Sequence, residues 1–227
     1  MADATPLSVH APDGPPAGGL VVIQEIFGVN DHIEDICRRL ASEGWLAVAP
    51  HLFHRTGDPK LPYDLTEALP HAEALTRDGI VDDLDAALGH LDEASVPVER
   101  RGVVGFCAGG ALALVTAAER PVGAAVTFYG GGVMSGRFGF PALVDVAPRL
   151  GAPWLGLYGD RDLGIPVDDV EQLRAAAASS GQETEVVRYP DAGHGFNCDR
   201  RDSYEPASAA DAWQRTLAWF DRHLRQA

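Results

Sequence analysis

Apolar residues along the chain fall into two alternating patterns. Continuous runs of strand length occupy residues 20–24, 45–49, 101–104, 124–129 and 154–158, and such runs suit strands buried on both faces. Residues 184–189 read as a further strand and residues 7–10 as a short edge strand ahead of the turn-rich 11–19. Between the runs the spacing becomes helical. From Asn30 or Asp31, residues Ile33, Ile36, Cys37 and Leu40 share one face, with acidic residues in the first turn and Arg38 and Arg39 towards the end. A long helical pattern covers residues 65–91, with Ile80, Leu84, Ala87, Leu88 and Leu91 inward, and others cover 111–118, 168–180 and 207–223. Pro50 stops the strand before it, and 51–62 has loop composition. Strand and helix alternate nearly throughout, which predicts an α/β fold: a mostly parallel sheet with helices on both faces and its chemistry in loops beyond the carboxyl ends of the strands. Without an internal repeat or a dividing linker, 227 residues predict one domain over 1–227.

Composition narrows the function classes. A net charge of −15 opposes nucleic-acid binding, which needs a basic stripe to replace counterions along phosphates. It says little against a small anionic substrate, because screening confines surface charge to roughly 8–10 Å. There is no membrane-length apolar run and no signal-peptide pattern at the start, so a cytoplasmic location is expected. Three cysteines, an odd number, argue for reduced thiols rather than a disulfide framework. Cys37 lies in an apolar stripe and reads as a core thiol; Cys198 reads as a loop thiol. His51 and His54 lack further ligands at metal-binding spacing and read as loop surface. Gly130-Gly131-Gly132 matches no phosphate-binding pattern. Neither a metal nor an organic cofactor is expected, and nothing in the sequence fixes an oligomeric state.

The chemistry centres on Gly105-Phe106-Cys107-Ala108-Gly109-Gly110, between a strand and a buried helix. A strand that becomes a helix within a few residues turns sharply, and small residues around Cys107 permit it. This is the pattern of a nucleophile elbow with a thiol in place of the usual hydroxyl. The helix start lowers a thiol's pKa and offers the Ala108 N–H to a developing oxyanion.

Three other loops complete a candidate site. His194, in the glycine-flanked turn 191–196 after the last strand, suits a general base. In loop 159–166 two aspartates compete to orient it; Asp162, deeper in the loop, is favoured, while Asp160 suits stabilising the turn. Glu25 ends a central strand beside apolar Ile26 and Phe27, where it can exchange a proton with a nearby thiol, the other choice being a structural ion pair with an arginine. The Ile26 N–H offers a second oxyanion donor.

These stretches, Gln24-Glu25-Ile26-Phe27-Gly28, the elbow, Gly159-Asp160-Arg161-Asp162-Leu163-Gly164-Ile165-Pro166 and Tyr189-Pro190-Asp191-Ala192-Gly193-His194-Gly195-Phe196, resemble the dienelactone hydrolase family of the α/β-hydrolase superfamily, whose type activity is carboxymethylenebutenolidase. The resemblance implies Cys107 as nucleophile, His194 as base, Asp162 as its orienter and Glu25 as the carboxylate governing thiol ionisation. It further implies a resting thiol held back until bound substrate displaces the glutamate. The family's type enzyme grips a substrate carboxylate with two arginines, and the pattern departs here. Cys198 follows His194-Gly195-Phe196-Asn197, and the segment before the elbow is abbreviated. Either the clamp is rebuilt from Arg55, Arg77, Arg137, Arg200 or Arg201, or the substrate differs. The expectation is a hydrolase opening a small ester or lactone through a thioester on Cys107. The alternatives are a broad carboxylesterase or thioesterase acting on neutral substrates, a thiol redox sensor, and a non-catalytic ligand-binding relative.

Overall fold

The computed structural model describes residues 4–225. Seven strands form one sheet in the order β1-β3-β2-β4-β5-β6-β7. They are β1 (Leu7–His10), β2 (Gly19–Ile23), β3 (Leu46–Pro50), β4 (Arg101–Phe106), β5 (Ala124–Phe128), β6 (Trp154–Gly159) and β7 (Thr184–Tyr189). Only β1 runs antiparallel, against β3. The remaining pairs are parallel, with β2 beside β4 in the register Ile23 to Gly105. The inner strands β2 to β6 are buried along their whole length, which is why they read as unbroken apolar runs.

The helices are α1 (Asp31–Ser42), α2 (Leu65–Glu73), α3 (Arg77–Glu93), α4 (Ala108–Glu119), α5 (Leu143–Val146), α6 (Val167–Ala178) and α7 (Pro206–Phe220). Right-handed crossovers decide their sides. The chain steps from β2 to β3 in one direction, then from β4 to β7 in the other, so α1 lies on one face and α3, α4 and α6 on the other. α7 joins α1, and Arg39 of α1 stacks on Trp213 of α7 at 3.8 Å. Strand order therefore reverses between β2 and β4, and a crevice opens there at the carboxyl end of the sheet. No described helix is long and apolar enough to cross a membrane.

Three local readings differ from the sequence expectation. The helical pattern over 65–91 is two helices, because Thr76 adopts an extended conformation and caps α3 by accepting the Gly79 N–H at 3.2 Å. α5 is a four-residue turn of helix, too short to leave a periodic signal. His51 and His54 are not loop surface: His51 bonds Asp58 at 2.7 Å, and His54 meets the buried Asp83 at 3.1 Å. Asp83 also takes both terminal nitrogens of Arg55 at 2.8 and 3.1 Å, which ties the loop before α2 to α3.

One tight joint is between α4 and β2. A Cβ on Gly109 would lie 2.2 Å from the Ile23 carbonyl oxygen and 2.5 Å from that of Gln24. Gly109→Ala is therefore expected to push α4 off the sheet. It should cost about 1–3 kcal/mol of stability in urea denaturation, as overpacked interiors do, with loss of whatever activity the elbow supports.

Candidate active site

Cys107 stands between β4 and α4 with φ 54° and ψ −113°, a left-handed conformation that a side chain adopts only under constraint. The constraint is backbone bonding on three sides. Cys107 N–H donates to the Phe128 carbonyl at 3.0 Å, Gly109 N–H to that of Gln24 at 3.1 Å, and Gly110 N–H to Cys107's own carbonyl. The Thr127 hydroxyl holds the Gly110 carbonyl at 2.8 Å and accepts from Trp154 Nε1 at 2.9 Å. The elbow is thus anchored through β5 to β6.

His194 enters from the turn after β7. Its Nδ1 meets Asp162 Oδ2 at 2.6 Å, which leaves Nε2 for the thiol side. Asp162 is 5% exposed, and its other oxygen accepts the Gly164 N–H at 2.8 Å. Asp160 instead forms a fork with Arg188, both contacts at 2.8 Å. The Tyr129 ring packs edge-on against His194 with centroids 5.2 Å apart. Burial works to lower the His194 pKa, but the Asp162 hydrogen bond and carboxylate, with the interaction with Cys107, outweigh it and push it up to about 10.

Glu25 follows β2 and is 1% exposed. Its Oε1 pairs with Arg201 Nη1 at 3.3 Å, and its Oε2 has no hydrogen-bond partner. In this state the carboxylate takes the arginine partner that the sequence left open as its second choice. Arg201 lies against the rings of Phe27 and Tyr63, 5.5 and 5.6 Å from their centroids, and the two rings pack edge-on to each other at 5.0 Å. It also passes so close to the histidine turn that a Cβ on Gly195, at φ 80°, would stand 2.4 Å from Nη1. Cys198 is a free loop thiol, as read from the sequence, but fully buried, and its Sγ donates to the Tyr63 hydroxyl at 3.1 Å.

Cys107, Asp162 and His194 line one cavity of about 500 Å³. Ile26 and Ala108 line it as well, with Phe27, Leu65, Leu163 and Ile165 as its apolar wall. The cations sort clearly. Arg137 and Arg201 face this cavity, joined by Arg161, which the sequence reading passed over although it stands between the two competing aspartates. Arg137 forms no ion pair among the described residues, while Arg161 is held by Asp191. Arg55, Arg77 and Arg200 do not line the cavity; they are bound to Asp83, Glu119 and Asp31. Leu65, Leu163 and Ser203 were also not singled out, since isolated loop and helix-start positions carry no periodicity.

A sheet that reverses order at β2 and β4, with a strained thiol at the reversal and an imidazole–carboxylate pair from β7 and β6, matches known proteins over nearly its whole length. The model of the dienelactone hydrolase family matches residues 7–224. An Escherichia coli (strain K12) protein that carries the name carboxymethylenebutenolidase by inference is 44% identical over 207 residues, 90% of this chain and 76% of that protein. The carboxymethylenebutenolidase of Rhodococcus opacus is 31% identical over 209 residues, 90% of this chain and 81% of that protein. The crystal structure of a Klebsiella pneumoniae subsp. pneumoniae protein inferred to be a dienelactone hydrolase superposes with a TM-score of 0.88 at 40% identity, covering 96% of this chain and 93% of that one. The likeness thus extends through the sheet and all the loops at its carboxyl end, and the chain belongs to the dienelactone hydrolase family.

Proposed function

We propose that this member of the family hydrolyses small carboxylate-bearing lactones or esters through an acyl-thioester on Cys107. The observation that carries the reading is a thiol on a strained elbow sharing a cavity with an imidazole that a buried carboxylate holds at 2.6 Å. Substrate lies with its carboxylate against Arg137 and Arg201 and its apolar body along Ile26, Leu65 and Leu163. A guanidinium without an ion pair among the described residues, facing a cavity whose single carboxylate is already bound to His194, favours such an anion.

Arg201 then has a competing partner, its hold on Glu25 loosens, and Glu25 takes the thiol proton. The thiolate, paired with the His194 imidazolium, attacks the acyl carbon. The oxyanion accepts from the N–H groups of Ile26 and Ala108, the latter at the positive end of α4 and without an intrahelical partner. Collapse breaks the acyl C–O bond, and His194 gives its proton to the departing oxygen. Neutral His194 next takes a proton from water as the water oxygen attacks the thioester. The C–S bond breaks, the acid leaves, and the thiolate–imidazolium pair is restored; Glu25 then gives its proton back to the thiolate and, again a carboxylate, re-forms its pair with Arg201.

Three outcomes follow from these assignments. Cys107→Ala and His194→Ala should each reduce turnover of p-nitrophenyl acetate to the buffer rate, and turnover surviving in either purified variant would exclude the mechanism. The pH profile tests the ion pair. The His194 value of about 10 lies above the ordinary 6.5, so the imidazolium is present through neutrality and is lost as pH rises towards 10. kcat/KM should therefore hold through the neutral range and fall near pH 10. Asp162→Asn should move that fall towards 6.5 and lower kcat by about 100-fold to 10,000-fold; an unmoved alkaline limb removes the ion pair from the scheme. Finally, Arg137→Ala should raise KM for cis-dienelactone by at least about 10-fold, the loss of one charge-assisted contact, while leaving p-nitrophenyl acetate kinetics unchanged. Equal effects on charged and neutral substrates would dispose of the clamp and leave a broad esterase.

A further inference from the structure

Glu25 also belongs to a second cluster, whose other members the hydrolytic scheme does not use. His32, at the start of α1, and Cys198, in the turn after β7, join it, and the three residues are 1%, 4% and 0% exposed. One ligand atom from each lies within 4.8 Å of the other two. Glu25 Oε2 and His32 Nε2 are buried without any hydrogen-bond partner. Unpartnered buried acceptors and donors are costly, and two of them in one cluster mark a place for a shared guest.

We propose that Glu25, His32 and Cys198 form a binding site for a divalent cation of the zinc class, and that a cation held there pins Glu25. Carboxylate, imidazole and thiolate are the oxygen, nitrogen and sulfur donors that such an ion accepts. Bonds of about 2.0–2.3 Å in a tetrahedral arrangement place ligand atoms about 3.5 Å apart, so each donor needs to move inward by at most roughly 0.8 Å, within reach of small side-chain rotations. Coordination forms the metal–sulfur bond and releases the thiol proton to solvent. The Tyr63 hydroxyl, which now accepts from Cys198, then donates to the thiolate. The carboxylate and thiolate charges balance the ion, and Glu25 keeps Arg201 on Oε1 while Oε2 takes the cation. Entry need not cross the substrate cavity. His32 and Asn197 also line a separate groove of about 290 Å³ that carries the carboxylates of Asp35 and Asp199, which attract cations, while the Arg39 guanidinium in the same groove is stacked on Trp213.

With both oxygens engaged, Glu25 cannot swing to the Cys107 thiol, so occupancy suppresses turnover. This consequence, unlike the binding itself, rests on the role proposed for Glu25 above. Binding is tested in full-length Cys107→Ala protein, which removes the cavity thiol as a competing ligand. Co²⁺ should bind one per chain with a sulfur-to-metal charge-transfer band in the near ultraviolet, and Zn²⁺ should displace it. Adding Cys198→Ser should abolish the band and weaken Zn²⁺ binding, measured calorimetrically, at least 10-fold. Adding His32→Asn should weaken binding by a similar factor while the band persists at saturation. Absence of stoichiometric binding, as expected if only ordered water satisfies the cluster, overturns the site, as does a band that survives Cys198→Ser. In protein with Cys107 intact, one equivalent of Zn²⁺ should lower p-nitrophenyl acetate turnover at least 10-fold, reversibly with EDTA, and Cys198→Ser protein should escape. Inhibition that persists in Cys198→Ser overturns the pinning. Failure of the unmetallated protein to turn over ester would instead refute the hydrolytic scheme and leave the binding result standing.

Discussion

The backbone joint between the first turn of α4 and the end of β2 is the contact on which the rest of the site depends. Gly109 gives its N–H to Gln24 across a gap that admits no methyl group, and this fixes where Cys107 stands relative to the Glu25 and Ile26 loop. Cys107 occupies a left-handed conformation because its neighbours on β2 and β5 are already bonded. The strain, of order 1–3 kcal/mol for such a residue, is borne by the sheet, and its effect is a thiol that projects at the start of a helix. Because β2 and β4 flank the point where strand order reverses, the same joint also sets the floor of the cavity.

Local charge runs opposite to global charge. The chain carries −15 overall, yet the cavity gathers Arg137, Arg161 and Arg201 around a single carboxylate, Asp162, that is already committed to His194 and Gly164. Elsewhere arginines are spent on acids: Arg55 on Asp83, Arg77 on Glu119, Arg188 on Asp160 and Glu171. At a Debye length of roughly 8–10 Å the surplus surface acid is largely screened from the cavity, and the unmatched guanidinium of Arg137 dominates what an anion would meet.

Glu25 sits where two polar environments touch. One oxygen answers to the cavity through Arg201, and the other faces the cluster with His32 and Cys198. A buried carboxylate with one satisfied and one unsatisfied oxygen is a group whose position depends on what its neighbours bind. On the reading proposed above, this makes it the point of communication between cavity and interior.

The sequence by itself determined the alternation of elements, since fully buried parallel strands must be apolar throughout and leave a signal that helices cannot imitate over several repeats. It also determined the elbow, because close backbone approach demands glycine at fixed offsets, and it singled out Asp162 and His194 from their places at strand ends. Tertiary structure decided what distance along the chain conceals. Thr76 divides one helical pattern into two helices through a cap whose hydrogen bond leaves no periodic trace. Arg55 and Arg201 have the same side chain in polar loops. Only the folded chain gives one to Asp83 and the other to Glu25 and the cavity. Cys198 reads as a loop thiol in sequence and is enclosed beside Tyr63 and His32 in space, because burial of a loop residue depends on which other loops close over it. Side chains that act through periodicity or backbone sterics were legible in one dimension; those that act through a partner from another strand end were fixed only when the sheet brought the loops together.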